Sequence, residues 1–324
     1  MRAIVYHDFG SPDVLKYEEI EKPTPGDNEV LLKVRAASVN PLDWRLMRGA
    51  PHVLRVLFGL RKPSITHPGQ PGRDVAGQVE AVGRRVTQFK PGDEVFGWCL
   101  GAFAEYACAS ESALIMKPDK LTFEQVASVP VAALTALQGL RDKGRIQSGQ
   151  KVLINGAAGG VGTFAVQIAK SFGADVTGVC STGNADLVRS IGADRVIDYT
   201  REDLTKGGRR YDLILDCVGN HSLLACRRVL NPKCVCVIAG APKEVGVFLA
   251  RAITAPVLSR LVSQKFVLFI AKLNKDDLTA LCDLMEAGKV TPVIDRRYRL
   301  SDVPEAVRYL EEGHARGKVV ITLE

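Results

Sequence analysis

A glycine-rich loop between a predicted strand and a predicted helix limits the fold of this chain more than any other feature. The apolar run KVLIN at 151–155 predicts the strand, GAAGGVG follows at 156–162, and TFAVQIAKSFG then has the apolar spacing of a helix. Ala157, Gly159 and Gly162 match the Gly-x-Gly-x-x-Gly dinucleotide fingerprint, with alanine in the first glycine position. Such a loop brings backbone N–H groups at a helix N-terminus close to a pyrophosphate. The stretch therefore predicts a nucleotide-binding strand–loop–helix unit.

The strand before this loop is the first of six apolar runs of strand length, and helical stretches or turns lie between most of them. Their alternation predicts a doubly wound parallel α/β sheet that is buried on both faces. The runs lie at 151–155, 175–180, 195–199, 212–218, 234–240 and 266–271. Residues 1–124 instead contain short strands separated by turns such as KPTPGDN and QFKPGD, which favours a β-rich domain of barrel type.

The last fifty or so residues resemble the first part of the chain more than the second. They contain two amphipathic helices, DDLTALCDLMEAGK and VPEAVRYLEEG, and a closing strand, GKVVITLE. A length of 324 residues also favours two domains over one. We therefore predict a β-rich domain in two segments, 1–124 and 272–324, with a nucleotide-binding domain of residues 125–271 inserted between them.

Composition and charge narrow the class of protein. A hydrophobic content of 46% and a charged content of 24% are typical of a soluble globular protein. The net charge of +7 suits an anionic small molecule, but it is too dispersed to indicate nucleic acid. The eight cysteines form no CxxC pair, and neither a secretory signal peptide nor an uncharged membrane span is recognisable. These features predict a cytoplasmic protein with reduced thiols, and they make membrane contact an unfavoured alternative.

The tip of the second predicted strand bears on the choice of cofactor. Folds that prefer NAD carry Asp or Glu there, about 20 residues after the loop, to bind the ribose 2′-hydroxyl. Here Cys180 is followed by Ser181, Thr182, Gly183 and Asn184, with no carboxylate. Hydroxyl and amide groups accept a 2′-phosphate, whereas an acid repels it. The sequence therefore predicts NADPH, with use of either cofactor as the alternative.

Six motifs in order resemble one known family. They are ASVNPLDW, GRDVAGQVEAVG, KPGDEVFG, NGAAGGVG, IGADRVIDY and the closing GKVVI. Together they resemble the zinc-independent quinone oxidoreductase branch of the medium-chain dehydrogenase/reductase superfamily. The resemblance implies a GroES-like domain in two segments around a Rossmann domain. It also implies hydride transfer from NADPH to a small-molecule quinone or α,β-unsaturated carbonyl substrate, often in a homodimer.

The resemblance argues against zinc, because the ligands of the zinc-dependent relatives are replaced. Asn40 stands where their catalytic cysteine is expected, and Gly72-Arg73-Asp74 stands where they have Gly-His-Glu. An arginine at a ligand position repels the cation, and zinc needs thiolate or imidazole ligands. The cluster of four cysteines for structural zinc is also missing, so we expect no metal.

The resemblance further implies a set of site residues. Asn40, Asp43 and Arg73 would line the catalytic cleft near the nicotinamide. The cofactor-binding positions would be Thr135, Ala158, Gly159, Gly160, Val161, Ser181, Asn184, Tyr199, Val218, Gly219, Ala239, Gly240 and Lys318. Many relatives have lysine in place of Asn184, so this chain lacks one charge partner for a 2′-phosphate.

Several interpretations stay open on the sequence alone. Arg73 is a candidate stabiliser of an enolate or quinol anion, with Asp43 or water as proton source. The competing interpretation, which the sequence slightly favours, is an Asp–Arg pair that holds the cleft wall. The enzymatic alternative is an enoyl-thioester reductase. The non-enzymatic alternative is a binding protein that either senses redox state through NADPH or binds RNA. The apolar-basic segments at 51–63 and 248–262 are compatible with a substrate entrance, a membrane or dimer contact, or ordinary core helices. The family resemblance also implies that the strand FVLFIA pairs across a dimer axis.

Overall fold

A computed structural model describes residues 1–49, 63–65, 68–240 and 245–323, and of 245–249 it describes the backbone. The segment predicted as an insertion at 51–63 therefore lies, apart from Pro63, outside the described residues. The chain divides into two compact units. The first contains Met1–Val131, Leu273–Glu286 and Ile294–Glu324, and the second contains Ala132–Lys272 and Ala287–Val293.

The described part of the chain contains fifteen strands, which follow one another closely in the first unit and alternate with helices over most of the second. In chain order the strands are β1 (Arg2–Val5), β2 (Lys16–Glu19), β3 (Glu29–Val39), β4 (Asp74–Val82), β5 (Glu94–Trp98), β6 (Tyr106–Ser110), β7 (Leu114–Met116), β8 (Lys151–Asn155), β9 (Asp175–Cys180), β10 (Arg195–Asp198), β11 (Tyr211–Asp216), β12 (Leu230–Ile238), β13 (Lys265–Leu268), β14 (Ile294–Arg299) and β15 (Lys318–Thr322). The helices are α1 (Pro41–Met47), α2 (Phe123–Ala127), α3 (Pro130–Gln138), α4 (Gly160–Ser171), α5 (Ala185–Ser190), α6 (Leu223–Val229), α7 (Val245–Leu261), α8 (Lys275–Glu286) and α9 (Val303–Glu312).

The first unit is built on a seven-stranded sheet with the order β14-β15-β3-β4-β5-β7, and β6 also pairs with β3. All pairings in this sheet are antiparallel except β14 with β15. The register sets Ser38 of β3 opposite Asp74 of β4 and Val39 opposite Val319 of β15. This register brings polar side chains from three strands together at one end of the sheet.

The second unit is a six-stranded parallel sheet with the order β10-β9-β8-β11-β12-β13. The chain runs outward from β8 in both directions, so the carboxyl ends of β8 and β11 form the topological switch point of a doubly wound sheet. Asn155 and Asp216 end these two strands and are paired in register. The α/β fold class, with a β-rich GroES-like part and a Rossmann parallel sheet, is confirmed.

The sequence FEQVASVPVAALTALQGLRDKG at 123–144 has the apolar spacing of a helix, but a helix predicted across this whole range is wrong in its extent. The structure divides it into α2, which ends at Ala127, then α3, which begins at Pro130, and a π-helical turn at Gly139–Lys143. Proline has no N–H to donate and is accepted at the first position of a helix, which explains why a new helix begins at Pro130. The segment predicted as an insertion at 248–262 lies almost entirely within α7. No helix in the described ranges is long and apolar enough to cross a bilayer.

Candidate functional site

The fingerprint loop in the second unit has the geometry that a pyrophosphate requires. Gly156 turns the chain at the end of β8 with φ of +83°, and Gly159 is the N-cap of α4. A Cβ atom on Gly162 would lie 2.0 Å from the carbonyl oxygen of Gly156, so only glycine allows the helix to begin this close to the strand. A Cβ atom on Gly159 would meet only that same oxygen, at 3.5 Å, so the other side of Gly159 is open.

The same loop supplies the donors for an anion. Ala158 precedes the N-cap, while Gly160 and Val161 form the first turn of α4 and are partly exposed. N–H groups in the first turn of a helix have no acceptor within the helix, and the helix dipole favours negative charge there. The predicted residues Ala158 to Val161 therefore lie together at one helix N-terminus, whose N–H groups and dipole favour an anion such as a diphosphate.

A buried carboxylate organises the turns beside this loop. Asp216 is 2% exposed, and its Oδ1 accepts hydrogen bonds from Asn155 Nδ2 at 2.8 Å and from the N–H of Gly219 at 2.8 Å. The N–H of Val218 also donates to it at 3.2 Å. Arg251 lies 3.5 Å from the other carboxylate oxygen and donates to a backbone carbonyl in the turn before α6.

Asp216 also explains how four predicted cofactor residues come together. Its carbonyl oxygen accepts from the N–H groups of Ala239 and Gly240, while its side chain holds Val218 and Gly219. The predicted turns at 218–219 and 239–240 therefore meet around one residue. Sequence reasoning missed Asp216 and Arg251, although an acid at the end of the apolar strand YDLILD is itself a signal of a buried, paired charge.

The tip of β9 corrects one sequence-based expectation. No carboxylate was predicted there, but register pairs Asp198 of β10 with Cys180 of β9. The carboxylate of Asp198 accepts hydrogen bonds from the hydroxyls of Thr182 and Thr200. The hydrogen bond from Thr182 is the largest cause that lowers the pKa of Asp198. An anionic group therefore lies beside the tip, contributed by the end of the next strand, β10.

The predicted adenosine-side residues surround the same tip. Asn184 donates from Nδ2 to the Ser181 hydroxyl at 3.2 Å, and its buried Oδ1 has no hydrogen-bond partner in the described part of the chain. Tyr199 directly follows β10, and its side chain is 55% exposed. The structure thus brings Ser181, Asn184 and Tyr199 to one edge of the sheet. Thr135 lies on α3, where it is half-buried.

In the first unit, four polar side chains form a buried network. Lys318 donates from Nζ to Asn40 Oδ1 at 2.7 Å and lies 3.5 Å from Asp74 Oδ2. Asn40 donates from Nδ2 to that same Asp74 oxygen at 2.9 Å, and the Ser38 hydroxyl donates to it at 2.7 Å. All four side chains are at most 3% exposed. Burial also lowers the pKa of Lys318.

This network engages the polar atoms of two predicted site residues. Asn40 uses both its amide group and its carbonyl oxygen on Lys318, Asp74 and the carbonyl of Ser38. Lys318 has three acceptors within the first unit, since it also reaches the carbonyl of Val39 at 3.5 Å. Their contacts therefore support the end of the sheet rather than an external ligand. Asp74 was not predicted as a functional residue.

Asp43 is held by two backbone groups at the start of α1. The N–H of Asn40 donates to its Oδ2 at 2.7 Å, and the N–H of Gly72 donates to its Oδ1 at 3.2 Å. Burial raises the pKa of Asp43 to about 6, against the effect of the Asn40 hydrogen bond and the charge of Arg73. The carboxyl group therefore titrates close to neutral pH, which is the range of a general acid or base.

Arg73 is the predicted catalytic residue with an available side chain. It is half-buried and adjoins Asp74, and its charge acts on Asp43 and on the thiol of Cys99. Within the described ranges its guanidinium makes no hydrogen bond and no ion pair within 4 Å. The predicted Asp43–Arg73 interaction is thus electrostatic and leaves the guanidinium donors free.

No group of three or more His, Cys, Asp or Glu side chains that could hold a metal ion occurs in the part of the chain that the structure describes.

Comparisons with known proteins agree with this architecture. The family described as alcohol dehydrogenase GroES-like domain matches residues 26–119, and the family described as zinc-binding dehydrogenase matches residues 191–321. Quinone-oxidoreductase QR1, chloroplastic, of Triphysaria versicolor is 35% identical over 99% of this chain and 98% of its own. NADPH-dependent alkenal/one oxidoreductase, chloroplastic, of Arabidopsis thaliana is 36% identical over 99% of this chain and 79% of its own.

A solved structure shows the same relationship. The quinone oxidoreductase from Coxiella burnetii superposes with a TM-score of 0.89 at 32% identity, covering 100% of this chain and 99% of that chain. The protein therefore belongs to the quinone oxidoreductase branch of the medium-chain dehydrogenase/reductase superfamily. It is an oxidoreductase that uses a nicotinamide cofactor.

Proposed function

We propose that this protein is an NADPH-dependent oxidoreductase that transfers hydride to quinones or α,β-unsaturated carbonyl compounds without zinc. The observation that carries the proposal is the fingerprint loop, where Gly162 allows a close approach and the first turn of α4 presents free N–H groups. The names of the relatives support the substrate class, since one is a quinone oxidoreductase and another an NADPH-dependent alkenal/one oxidoreductase.

Bound NADPH would supply the hydride, and the protein would supply position and charge. The N–H groups at Gly160 and Val161 would hold the pyrophosphate. Arg73 has free donors and would stabilise the oxyanion that develops on the substrate. Asp43, with its pKa near 6, would hold or deliver a proton close to that group. Asn40 and Lys318 would act indirectly, because their own hydrogen bonds stabilise the surrounding backbone.

The preference for NADPH over NADH rests on the tip of β9. Ser181 and Asn184 would donate to the 2′-phosphate, and the partnerless Oδ1 of Asn184 is compatible with a water or ribose hydroxyl. The carboxylate of Asp198 is satisfied by two threonine hydroxyls and lies 3.6 Å from Arg201 Nε, which reduces its repulsion of a phosphate. We expect the protein to prefer NADPH but still to use NADH, because no lysine stands at position 184.

Zinc independence rests on the residues at the ligand positions. Asn40 has both polar atoms engaged, and Arg73 places a positive charge where a cation would have to bind.

We also propose that 1–124 and 272–324 act as the catalytic domain, that 125–271 acts as the nucleotide-binding domain, and that the protein is a homodimer. A cytoplasmic location stays a prediction; the two plant relatives carry chloroplastic names.

The test is oxidation of NADPH and of NADH against a naphthoquinone, an alkenal, crotonyl-CoA and a simple aldehyde. We expect turnover with NADPH on the quinone or the alkenal. Turnover confined to crotonyl-CoA would reassign the protein to the enoyl-thioester reductases. Binding of NADPH without turnover on any acceptor would contradict the proposed activity and favour a non-catalytic sensor.

Zinc analysis of the purified protein is expected to give much less than one equivalent, and a full equivalent would contradict the zinc-free proposal.

A further inference from the structure

The second unit carries a basic cleft that the proposed reaction does not use. Its volume is about 490 Å³, and it is lined by Arg210, Leu224, Arg227, Arg228 and Gln264. Arg210 directly precedes β11, Gln264 directly precedes β13, and the other two arginines lie in the last turn of α6, before β12. The cleft is therefore at the amino ends of the parallel strands. The fingerprint loop follows the carboxyl end of β8, on the opposite edge of the same sheet.

The three arginines of this cleft have no anionic partner. In the described ranges Arg210, Arg227 and Arg228 make no ion pair within 4 Å, and the lining contains no acid. Most other arginines near the sheet are paired, as Arg209 is with Asp175 and Arg251 with Asp216. Cations at a helix C-terminus stabilise the helix dipole, which accounts for the pair in α6. It does not account for Arg210, which joins them from another element.

A buried amide is the second, independent observation. Gln264 is 6% exposed yet lines the cleft. Its Oε1 accepts from the Ser263 hydroxyl at 3.4 Å, and its Nε2 donates to no group in the described part of the chain. Although the residue is buried as a whole, this donor is not among the enclosed polar atoms without a partner, so it reaches the cleft and can donate to an acceptor that enters it.

We propose that this cleft binds a phosphate-bearing ligand at a site separate from the nucleotide loop. Guanidinium groups bind phosphate oxygens through two parallel hydrogen bonds, which no other side chain does as well. The amide of Gln264 would donate to a further oxygen. Leu224, 58% exposed, offers an apolar surface for the part of the ligand that carries the phosphate. The ligand is a soluble phosphate compound or the headgroup of an anionic lipid, which share this chemistry.

The experiment titrates the full-length protein with tripolyphosphate by calorimetry, at about 0.15 M salt to screen non-specific attraction. Excess NADP⁺ occupies the nucleotide loop. In parallel, the protein is sedimented with vesicles of phosphatidylcholine alone or with phosphatidic acid. Variants Arg210→Gln, Arg227→Gln and Gln264→Leu test the cleft. Arg195→Gln is the matched control, since Arg195 is an exposed arginine of the same unit, on β10, outside the cleft.

We expect Arg210→Gln and Arg227→Gln each to weaken binding by about tenfold, because each removes charge-assisted hydrogen bonds. The Gln264→Leu effect should be several-fold, and Arg195→Gln should stay within about twofold of the wild type. Arginine-dependent binding of tripolyphosphate identifies a soluble ligand, and arginine-dependent binding of phosphatidic acid vesicles alone identifies a headgroup. Absence of binding to both probes, or an equal loss in Arg195→Gln, would overturn the site. NADPH binding and the melting temperature of each variant check that the fold is intact.

Discussion

Two glycines of the fingerprint loop make different contributions. Gly159 faces open space, while Gly162 lies against the carbonyl oxygen of Gly156. We predict that Gly159→Val weakens NADPH binding by about a hundredfold, since a side chain there blocks roughly two charge-assisted hydrogen bonds to the pyrophosphate. The melting temperature should fall by only a few degrees, because the N-cap change costs about 1 kcal/mol.

Fluorescence titration with NADPH and thermal denaturation check this pair of effects. Gly162→Val should instead fail at the level of folding, because its Cβ would lie 2.0 Å from a backbone oxygen. Gly207→Val is the control, since nothing lies within 4 Å of the Cβ position there. Unchanged NADPH affinity in Gly159→Val would remove the loop from the cofactor site.

The titration of Asp43 gives a prediction with a definite sign. Burial raises the pKa of Asp43 in the folded protein to about 6, from a reference value of 3.8. The folded protein therefore holds this proton more tightly than the unfolded chain does. The stabilisation is complete below about pH 4 and is lost as pH rises through 6.

Asp43→Asn removes this titration. The difference in unfolding free energy between wild type and Asp43→Asn should fall by up to about 3 kcal/mol between pH 4 and pH 7. Urea denaturation of both proteins across that range measures it. Asp194 and Asp198 have lowered pKa values, so their contributions to stability increase with pH, opposite to that of Asp43. Both residues are present in the two proteins, so their contributions cancel in the difference. A constant difference would show that Asp43 titrates at its ordinary value.

The sequence predicted the local strand–loop–helix geometry well and the contacts between residues of different strands poorly. The loop residues 158–161 follow from spacing alone, because strand, loop and helix are contiguous. Asp198 beside Thr182 and Asp74 beside Lys318 arise from strand register, which brings together residues 16 and 244 positions apart. A single sequence carries no direct record of such pairs. The roles inferred by resemblance for the catalytic residues stay predictions.

At the scale of elements, the buried Lys318–Asp74 pair joins three strands and a helix. Asp74 of β4 accepts from Ser38 of β3 and from the N–H of Val131 in α3, while Lys318 approaches from β15. Removing one partner of a buried pair leaves an uncompensated charge. We predict that Lys318→Met destabilises the protein by about 3–5 kcal/mol, with a marked fall in melting temperature.

A double-mutant cycle isolates this interaction from the loss of packing. Asp74→Asn combined with Lys318→Met removes both charges, so the double variant should be more stable than the sum of the single effects implies. Denaturant unfolding of the four proteins gives the coupling energy. The exposed pair of Lys22 and Glu80 is the comparison, and its loss should cost less than about 1 kcal/mol. If the destabilisation of the double variant equals the sum of the two single destabilisations, Lys318 and Asp74 do not stabilise one another.

Strands and helices that a clear apolar pattern or a capping glycine marks in the sequence were predicted correctly. The six apolar runs of the second unit all form parallel strands, and α9 ends at Glu312 because Gly313, with φ of +86°, caps it. The predicted helix across 123–144 failed because its apolar spacing continues through Pro130, so periodicity alone did not show the break. Proline position, rather than hydrophobic pattern, determines where that segment divides.

At the scale of the whole molecule, the second sheet ends at β13, whose outer edge is occupied at Phe266 by the hydroxyl of Ser259 in α7. β13 is the last strand of the six, paired only with β12 among the described strands, and Ile270 beyond it is 63% exposed. An edge strand presents unpaired N–H and C=O groups that another chain can join. This favours the predicted pairing of FVLFIA with its copy in a homodimer, which would join two six-stranded sheets into one.

Register identifies the residue that tests this assembly. The N–H of Phe269 donates to Ile238 of β12, and donors alternate along a parallel strand, so the N–H of Leu268 points away from β12. Leu268→Pro therefore removes a donor from the outer edge and keeps the pairing with β12, a position where strands tolerate proline. We predict a monomer by light scattering after gel filtration, with a melting temperature that no longer depends on concentration. Val267→Pro, which removes a donor facing β12, should instead destabilise the sheet itself. A Leu268→Pro protein that stays dimeric, or a wild type that is monomeric at every concentration, would exclude assembly through β13.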